Sequence, residues 1–80
     1  MNANNYARVK ILSQTEAQFL GFTHDAFRWY PGDTLPLGSE FYLRYGTHPG
    51  QKRHPKVGEK LVIRWYRREP WVLLPKETVR

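Results

Sequence analysis

Two short runs of alternating aromatic and basic residues could carry binding chemistry. Tyr42 is followed two positions later by Arg44, and Arg64 is followed two positions later by Tyr66. In a strand, residues two apart share a face, so paired strands would place all four side chains in one exposed patch. Flat rings on which bases stack and guanidinium groups for phosphates are what single-stranded nucleic acid requires. Alternatively, the tyrosines pack half-buried beneath the arginine stems.

A second group of basic residues lies in a long connection, residues 46–59. We expect no acid to compensate Lys52, Arg53 and Lys56, and His48 and His54 could add hydrogen bonds to phosphates. Connections of this length inside a compact domain are often functional. We expect a loop that is mobile in the free protein, lacks apolar anchors and becomes ordered on a polyanion. The alternative is a solvated hairpin loop without a function.

Arg67 and Arg68 continue the basic region, and Trp71 follows them next to Pro70. An exposed Trp there would be a stacking platform or an anchor for a protein partner. Trp29, Tyr30 and Trp65 are instead expected to fill the core. The predicted nucleic-acid-binding residues are Tyr42, Arg44, Lys52, Arg53, His54, Lys56, Arg64, Tyr66, Arg67 and Arg68, and the predicted partner anchor is Trp71.

The charge distribution supports a polyanionic partner. The 80 residues include 13 Lys and Arg against 7 Asp and Glu, a formal net charge of +6. Residues 1–40 hold three basic and four acidic residues, whereas residues 41–80 hold ten basic and three acidic ones. Positive charge concentrated in one half of the chain favours nucleic acid as the first candidate partner and an acidic protein surface as the second.

Several classes of function receive little or no support. Without Cys there is no disulfide, thiolate site or cysteine nucleophile, and we predict no metal and no cofactor. The apolar runs are too short to span a bilayer and the N-terminus does not resemble a signal peptide, so we expect a cytoplasmic protein without a membrane partner. No catalytic motif is present. A small ribonuclease using His54, Arg53 and Tyr45 is the third alternative.

Period-2 patterns dominate the chain and define the elements that must position these side chains. Six runs are predicted as strands: residues 6–13, 18–23, 26–30, 41–45, 60–67 and 71–74. Short strands between Gly and Pro turns favour a small all-β antiparallel barrel of five or six strands, SH3-like or OB-like, in which one short helix is allowed. Pro70 and Pro75 indicate that the last strand is an edge.

We expect a single barrel domain over residues 6–75, with a flexible segment at 1–5 and a tail at 76–80. Apolar residues at alternate positions of a strand share one face, and this alternation predicts the core. The predicted core residues are Val9, Ile11, Leu20, Phe22, Phe41, Leu43, Leu61, Ile63 and Trp65. The leading interpretation is a non-enzymatic module that binds nucleic acid, single-stranded for preference. The alternative is a small inhibitor or adaptor that binds an acidic surface of another protein. An aromatic edge near Trp71 could also support a homodimer.

Overall fold

The computed structural model describes residues 6–23 and 32–75, which form a closed five-stranded barrel. The strands are β1 (Tyr6–Ile11), β2 (Glu16–Thr23), β3 (Glu40–Tyr45), β4 (Lys60–Tyr66) and β5 (Glu69–Leu73). The small all-β barrel, consistent with an SH3-like or OB-like one, is confirmed, and the described residues contain no helix. The strand predicted at 26–30 and the segments 1–5 and 76–80 lie outside the described residues.

The strands follow one another around the barrel in the order β1, β2, β4, β5, β3. Four neighbour pairs are antiparallel, and β3 pairs with β5 in parallel through Arg44↔Trp71 and Tyr45↔Val72. A ring of five strands cannot alternate direction all the way round, so closure requires at least one parallel pair. This short parallel contact brings β3 beside β5.

The core consists mainly of inward-facing aliphatic side chains. Val9, Ile11, Leu43, Leu61 and Ile63 are buried as predicted. The predicted core aromatics Phe22, Phe41 and Trp65 are partly buried and pack against this cluster. The core also includes residues that the parity argument did not select: Ala7, Ala17, Phe19, Leu35, Tyr45, Val72 and Leu74.

The prediction that Leu20 belongs to the core is wrong because β2 contains an irregularity. Arg8 lies opposite Gly21, whereas the next residue, Val9, lies opposite Phe19. Leu20 is therefore an extra residue in β2, as in a β-bulge, and Gly21 has a φ of 136°. The extra residue shifts the alternation by one position, so Phe19 is only 2% exposed while Leu20 is half-buried.

The assignment of the last strand to an edge is also wrong. β5 pairs with β4 on one side and with β3 on the other. Pro70 is tolerated because it faces Trp65 of β4 and precedes the two residues that pair with β3. The strand that carries Trp71 therefore has a neighbouring strand on each side, and the homodimer stays a prediction.

Candidate nucleic-acid interface

Four outward-facing residues form a row across four adjacent strands. Tyr6 of β1 lies opposite Arg44 of β3, which in turn lies opposite Trp71 of β5. Trp71 also lies opposite Arg64 of β4. Three strand spacings of about 4.8 Å give the row a length of about 14 Å. We name this row, together with Tyr66, which lies two residues after Arg64 on β4, the arginine–aromatic face.

Alternation along each strand explains why these side chains point outward. Ala7 follows Tyr6 and is fully buried, Leu43 and Tyr45 flank Arg44 and are buried, and Val72 follows Trp71 and is fully buried. Side chains alternate between the two faces of a strand, so the neighbours of these buried residues face the surface. The small hydrophobic core therefore fixes the orientation of the whole row.

Arg44 connects the two aromatic rings at the centre of the face. Its guanidinium carbon lies 5.3 Å from the centroid of the Tyr6 ring and 5.7 Å from that of Trp71, within the range of cation–π contacts. Its Nε donates a hydrogen bond of 2.8 Å to Oε2 of Glu69, which raises the pKa of Arg44. Arg44 thus holds the rings in place.

Trp71 is bordered by a second aromatic ring and by a close backbone segment. The Tyr66 ring meets it edge-on, with centroids 5.9 Å apart and an interplanar angle of 83°. On its other side, a Cβ added to Gly46 would lie 3.2 Å from Cε3 of Trp71. Glycine therefore lets the backbone after β3 approach the indole closely. Tyr66 itself is 53% exposed, so its ring is available for stacking.

The turn that joins β4 to β5 presents two arginines in an unusual backbone conformation. Arg67 has a φ of 50° and Arg68 a φ of 68°, and they form a two-residue loop between the paired residues Tyr66 and Glu69. Two-residue hairpin turns with positive φ normally carry Asn and Gly. A left-handed conformation costs other residues about 1–2 kcal/mol each. Strain of this kind at an exposed site motivates a functional hypothesis.

The charges of this region differ in their availability. Arg64, Arg67 and Arg68 are exposed, and none of them forms an ion pair with a carboxylate in the described part of the chain. Arg44, by contrast, is engaged by Glu69. The three exposed arginines can therefore meet an incoming phosphate without breaking an ion pair with a described carboxylate.

A cleft with a volume of about 180 Å³ lies at the Tyr6 end of the face. Its lining combines aromatic rings, cations and one carboxylate, contributed by Tyr6, Tyr42, Leu43, Arg44, Arg68, Glu69 and Pro70. Tyr42 belongs to this region because it lies on the same side of β3 as Arg44, two residues away.

The structure brings together part of the predicted patch in an unexpected way. β3 and β4 do not pair, because β5 lies between them. Arg44 and Arg64 nevertheless lie in one row, with Trp71 between them. Tyr42 lies two residues before Arg44 on β3, and Tyr66 lies two residues after Arg64 on β4, opposite Glu69. The sequence analysis missed Tyr6 and Glu69. Tyr6 is next to the apolar residue Ala7, so alternation along the strand could have placed it on the surface. Its position beside Arg44, however, depends on the pairing of β1 with β3.

The statement that no acid compensates Arg53 is wrong. Its guanidinium donates to both carboxylate oxygens of Glu59, at 3.0 and 2.6 Å, and the backbone N–H of Lys56 donates to the same carboxylate at 3.0 Å. These hydrogen bonds lower the pKa of Glu59 from 4.5 to about 2. The two residues are six positions apart, and the turn that precedes β4 brings them together. Lys52 and Lys56 form no ion pair with a described carboxylate.

The long connection has a buried apolar residue, contrary to the expectation that it lacks apolar anchors, and it also has polar contacts with the barrel. Pro55 is buried, and Nε2 of Gln51 donates to the Tyr45 hydroxyl at 2.7 Å and to the Arg53 carbonyl at 2.9 Å. Nε2 of His48 lies 2.6 Å from the Leu74 carbonyl oxygen. These contacts connect the loop to β3 and to the residue after β5. Whether the loop becomes ordered on a polyanion stays a prediction.

The residues of the ribonuclease alternative do come close to one another. Nδ1 of His54 lies 3.4 Å from the Tyr45 hydroxyl. Tyr45 is only 8% exposed, however, and burial raises its pKa, while Arg53 is engaged by Glu59. The arrangement therefore favours a structural role for these three residues.

No protein family, curated protein or solved structure that was compared with this chain matches it. Within residues 6–23 and 32–75, no helix has the length and apolar character needed to cross a membrane. The same residues contain no group of three His, Asp or Glu side chains that could hold a metal ion.

Proposed function

We propose that this barrel is a cytoplasmic, non-enzymatic module that binds single-stranded nucleic acid through the arginine–aromatic face. The observation that carries the proposal is the unbroken row of Tyr6, Arg44, Trp71 and Arg64 on adjacent strands. Rings and guanidinium groups alternate along it, which suits a ligand in which flat bases alternate with charged phosphates.

The residues of the face divide into two roles. Trp71 and Tyr66 offer stacking surfaces, and base stacking on an aromatic ring contributes about 1–3 kcal/mol per base. Arg64, Arg67 and Arg68 are the exposed cations that would contact phosphates. Arg44 is engaged by Glu69, so its role is to position the two rings that it contacts. Unpaired bases are required because paired ones cannot present their faces to the rings.

The test compares two cations on the same strand. Arg64 and Lys60 both belong to β4, are exposed and share its outward parity, but only Arg64 lies in the row, since Lys60 lies opposite Gln18 of β2. Fluorescence anisotropy with a labelled single-stranded 12-mer, at several salt concentrations, gives the affinity and its salt dependence. We expect Arg64→Gln to weaken binding several-fold and to lower the salt slope by about 0.7, and Lys60→Gln to have a smaller effect.

Two results would count against the proposal. Equal effects of the two substitutions would mean that binding follows net charge rather than this face. No measurable affinity of the wild type for single- or double-stranded DNA or RNA at low salt would refute it outright. A pull-down that retains one acidic protein after nuclease treatment would then favour an inhibitor or adaptor that binds an acidic protein surface.

A further inference from the structure

The cleft at the Tyr6 end of the face combines two aromatic rings with a carboxylate. Tyr6 and Tyr42 contribute the rings, and Glu69 contributes the one carboxylate among the described residues of the lining. Arg44 and Arg68 also line the cleft, and Arg44 is paired with Glu69, so a phosphate can contact Arg68 while a neutral base contacts the carboxylate. At about 180 Å³ the cleft is smaller than the roughly 300–1,000 Å³ of pockets for drug-sized ligands, which suits a single ring system.

The hydrogen-bonding state of Glu69 defines what that ring system must offer. Its Oε2 accepts the Nε hydrogen of Arg44 at 2.8 Å, which fixes the carboxylate in place. No described residue donates to its Oε1, and the side chain is 46% exposed. An ionised carboxylate only accepts hydrogen bonds and has about four acceptor positions. Glu69 therefore has acceptor capacity left for a ligand with N–H donors.

We propose that this cleft is a base-binding subsite that prefers guanine. The inference rests on the proposed function and specifies the ligand of the same site. Guanine carries two adjacent donors, N1–H and the exocyclic amine, on its Watson–Crick edge, and both can point at one carboxylate. Thymine and uracil present one N–H between two carbonyl oxygens, which the carboxylate would repel. Tyr6 and Tyr42 supply the surfaces against which the base packs.

The first experiment measures base preference directly. Affinity is compared between a dT 12-mer and the same strand with one central dG. A paired hydrogen-bonding contact to a base discriminates by about 1–3 kcal/mol, so we expect roughly tenfold tighter binding of the strand with dG. A strand with one central dA tests whether any purine suffices, and equal binding of dA and dG would overturn the assignment to guanine.

Two variants assign the preference to the carboxylate. Glu69→Gln should reduce the ratio of the dG-strand affinity to the dT-strand affinity to within about twofold, because the amide replaces an acceptor with a donor, and this ratio is the readout rather than either affinity alone. Glu40→Gln is the matched control: it breaks another exposed arginine–glutamate pair, Arg8 with Glu40 at 2.6 Å, outside the cleft. This control should keep the preference. A thermal melt of each variant checks that the barrel is folded.

A second readout is independent of the variants' stability. NMR spectra of the wild type with 5′-GMP and with 5′-UMP should show larger shifts for Tyr42 and Glu69 with GMP. Wild-type binding without base preference, or a dG preference that persists in Glu69→Gln, overturns the subsite while the proposed function stands. No binding of any strand overturns the proposed function as well.

Discussion

Replacing the two arginines of the β4–β5 turn by Asn and Gly should stabilise the barrel and weaken its binding of nucleic acid. Arg67 and Arg68 both have positive φ in a two-residue hairpin loop. Asn-Gly is the pair that such turns prefer, since Asn tolerates this region and Gly enters it without steric cost. The same change removes two exposed cations from the turn beside the arginine–aromatic face.

The magnitudes follow from the two φ values and the two charges. A left-handed conformation costs about 1–2 kcal/mol per residue, and removing this cost stabilises the folded barrel. The added Gly reduces that gain by about 0.5–1 kcal/mol, because it increases the conformational entropy of the unfolded chain. For the two residues together we therefore expect a net gain in unfolding free energy of about 1–3 kcal/mol, which raises Tm by at least about 4 °C for a domain of this size. If each arginine contacts one phosphate, the salt slope should fall by about 1.4.

The assay combines thermal unfolding, followed by circular dichroism, with anisotropy titrations at several salt concentrations. The double variant Arg67→Lys, Arg68→Lys is the control, because it keeps the charges and the steric cost of positive φ. We expect it to resemble the wild type in both measurements. The Asn-Gly variant, by contrast, should have a higher stability and a lower affinity than the wild type. Loss of folding would lower both quantities, so it cannot explain that result.

Either half of the prediction can fail separately. A lower Tm for the Asn-Gly variant would show that the turn is not strained as its φ values indicate. A higher Tm with an unchanged affinity and salt slope would remove the turn from the binding site and restrict the phosphate contacts to other cations.

Three further substitutions test other parts of the account. Tyr66→Ala should weaken binding of a single strand by about 1–3 kcal/mol with little change in salt slope, because stacking releases no counterions; a changed slope in the anisotropy titration would argue against stacking. Ile63→Ala should lower the unfolding free energy by about 2–4 kcal/mol in urea titrations, since Ile63 is only 4% exposed, and an unchanged midpoint would remove it from the core. The pKa of Glu59 is about 2 in the folded chain against an ordinary 4.5, so its contribution to stability is complete above pH 4.5 and is lost as pH falls towards 2. Glu59→Gln should therefore flatten the dependence of unfolding free energy on pH in that range, and an undiminished dependence would exclude Glu59 as its source.

Alternation of side chains was sufficient to predict most of the strands and much of the core. Val9, Ile11, Leu43, Leu61 and Ile63 have the buried positions that their parity indicates. Parity fails at Leu20, since one extra residue in β2 shifts all the positions on one side of it. Gly21 was the one local signal of this irregularity, and a glycine in a strand is compatible with several structures.

The candidate site was harder to predict because it depends on contacts between distant parts of the chain. Trp71 has its central position only because β5 pairs with both β3 and β4, whereas the local signal of Pro70 favours an edge. The pairing of Arg53 with Glu59 likewise depends on how the loop folds back before β4. The two positive φ values at Arg67 and Arg68 had no sequence signal, because arginine is not a typical turn residue.

The most direct test of the arginine–aromatic face is an NMR titration of the isotopically labelled protein with a single-stranded 12-mer. We expect the largest changes at Tyr6, Arg44, Trp71 and Arg64, including the indole N–H of Trp71, and little change at Gln18 on the β2 side of the barrel. Changes confined to residues 47–56, or no change at any backbone amide, would contradict the claim that this face binds nucleic acid.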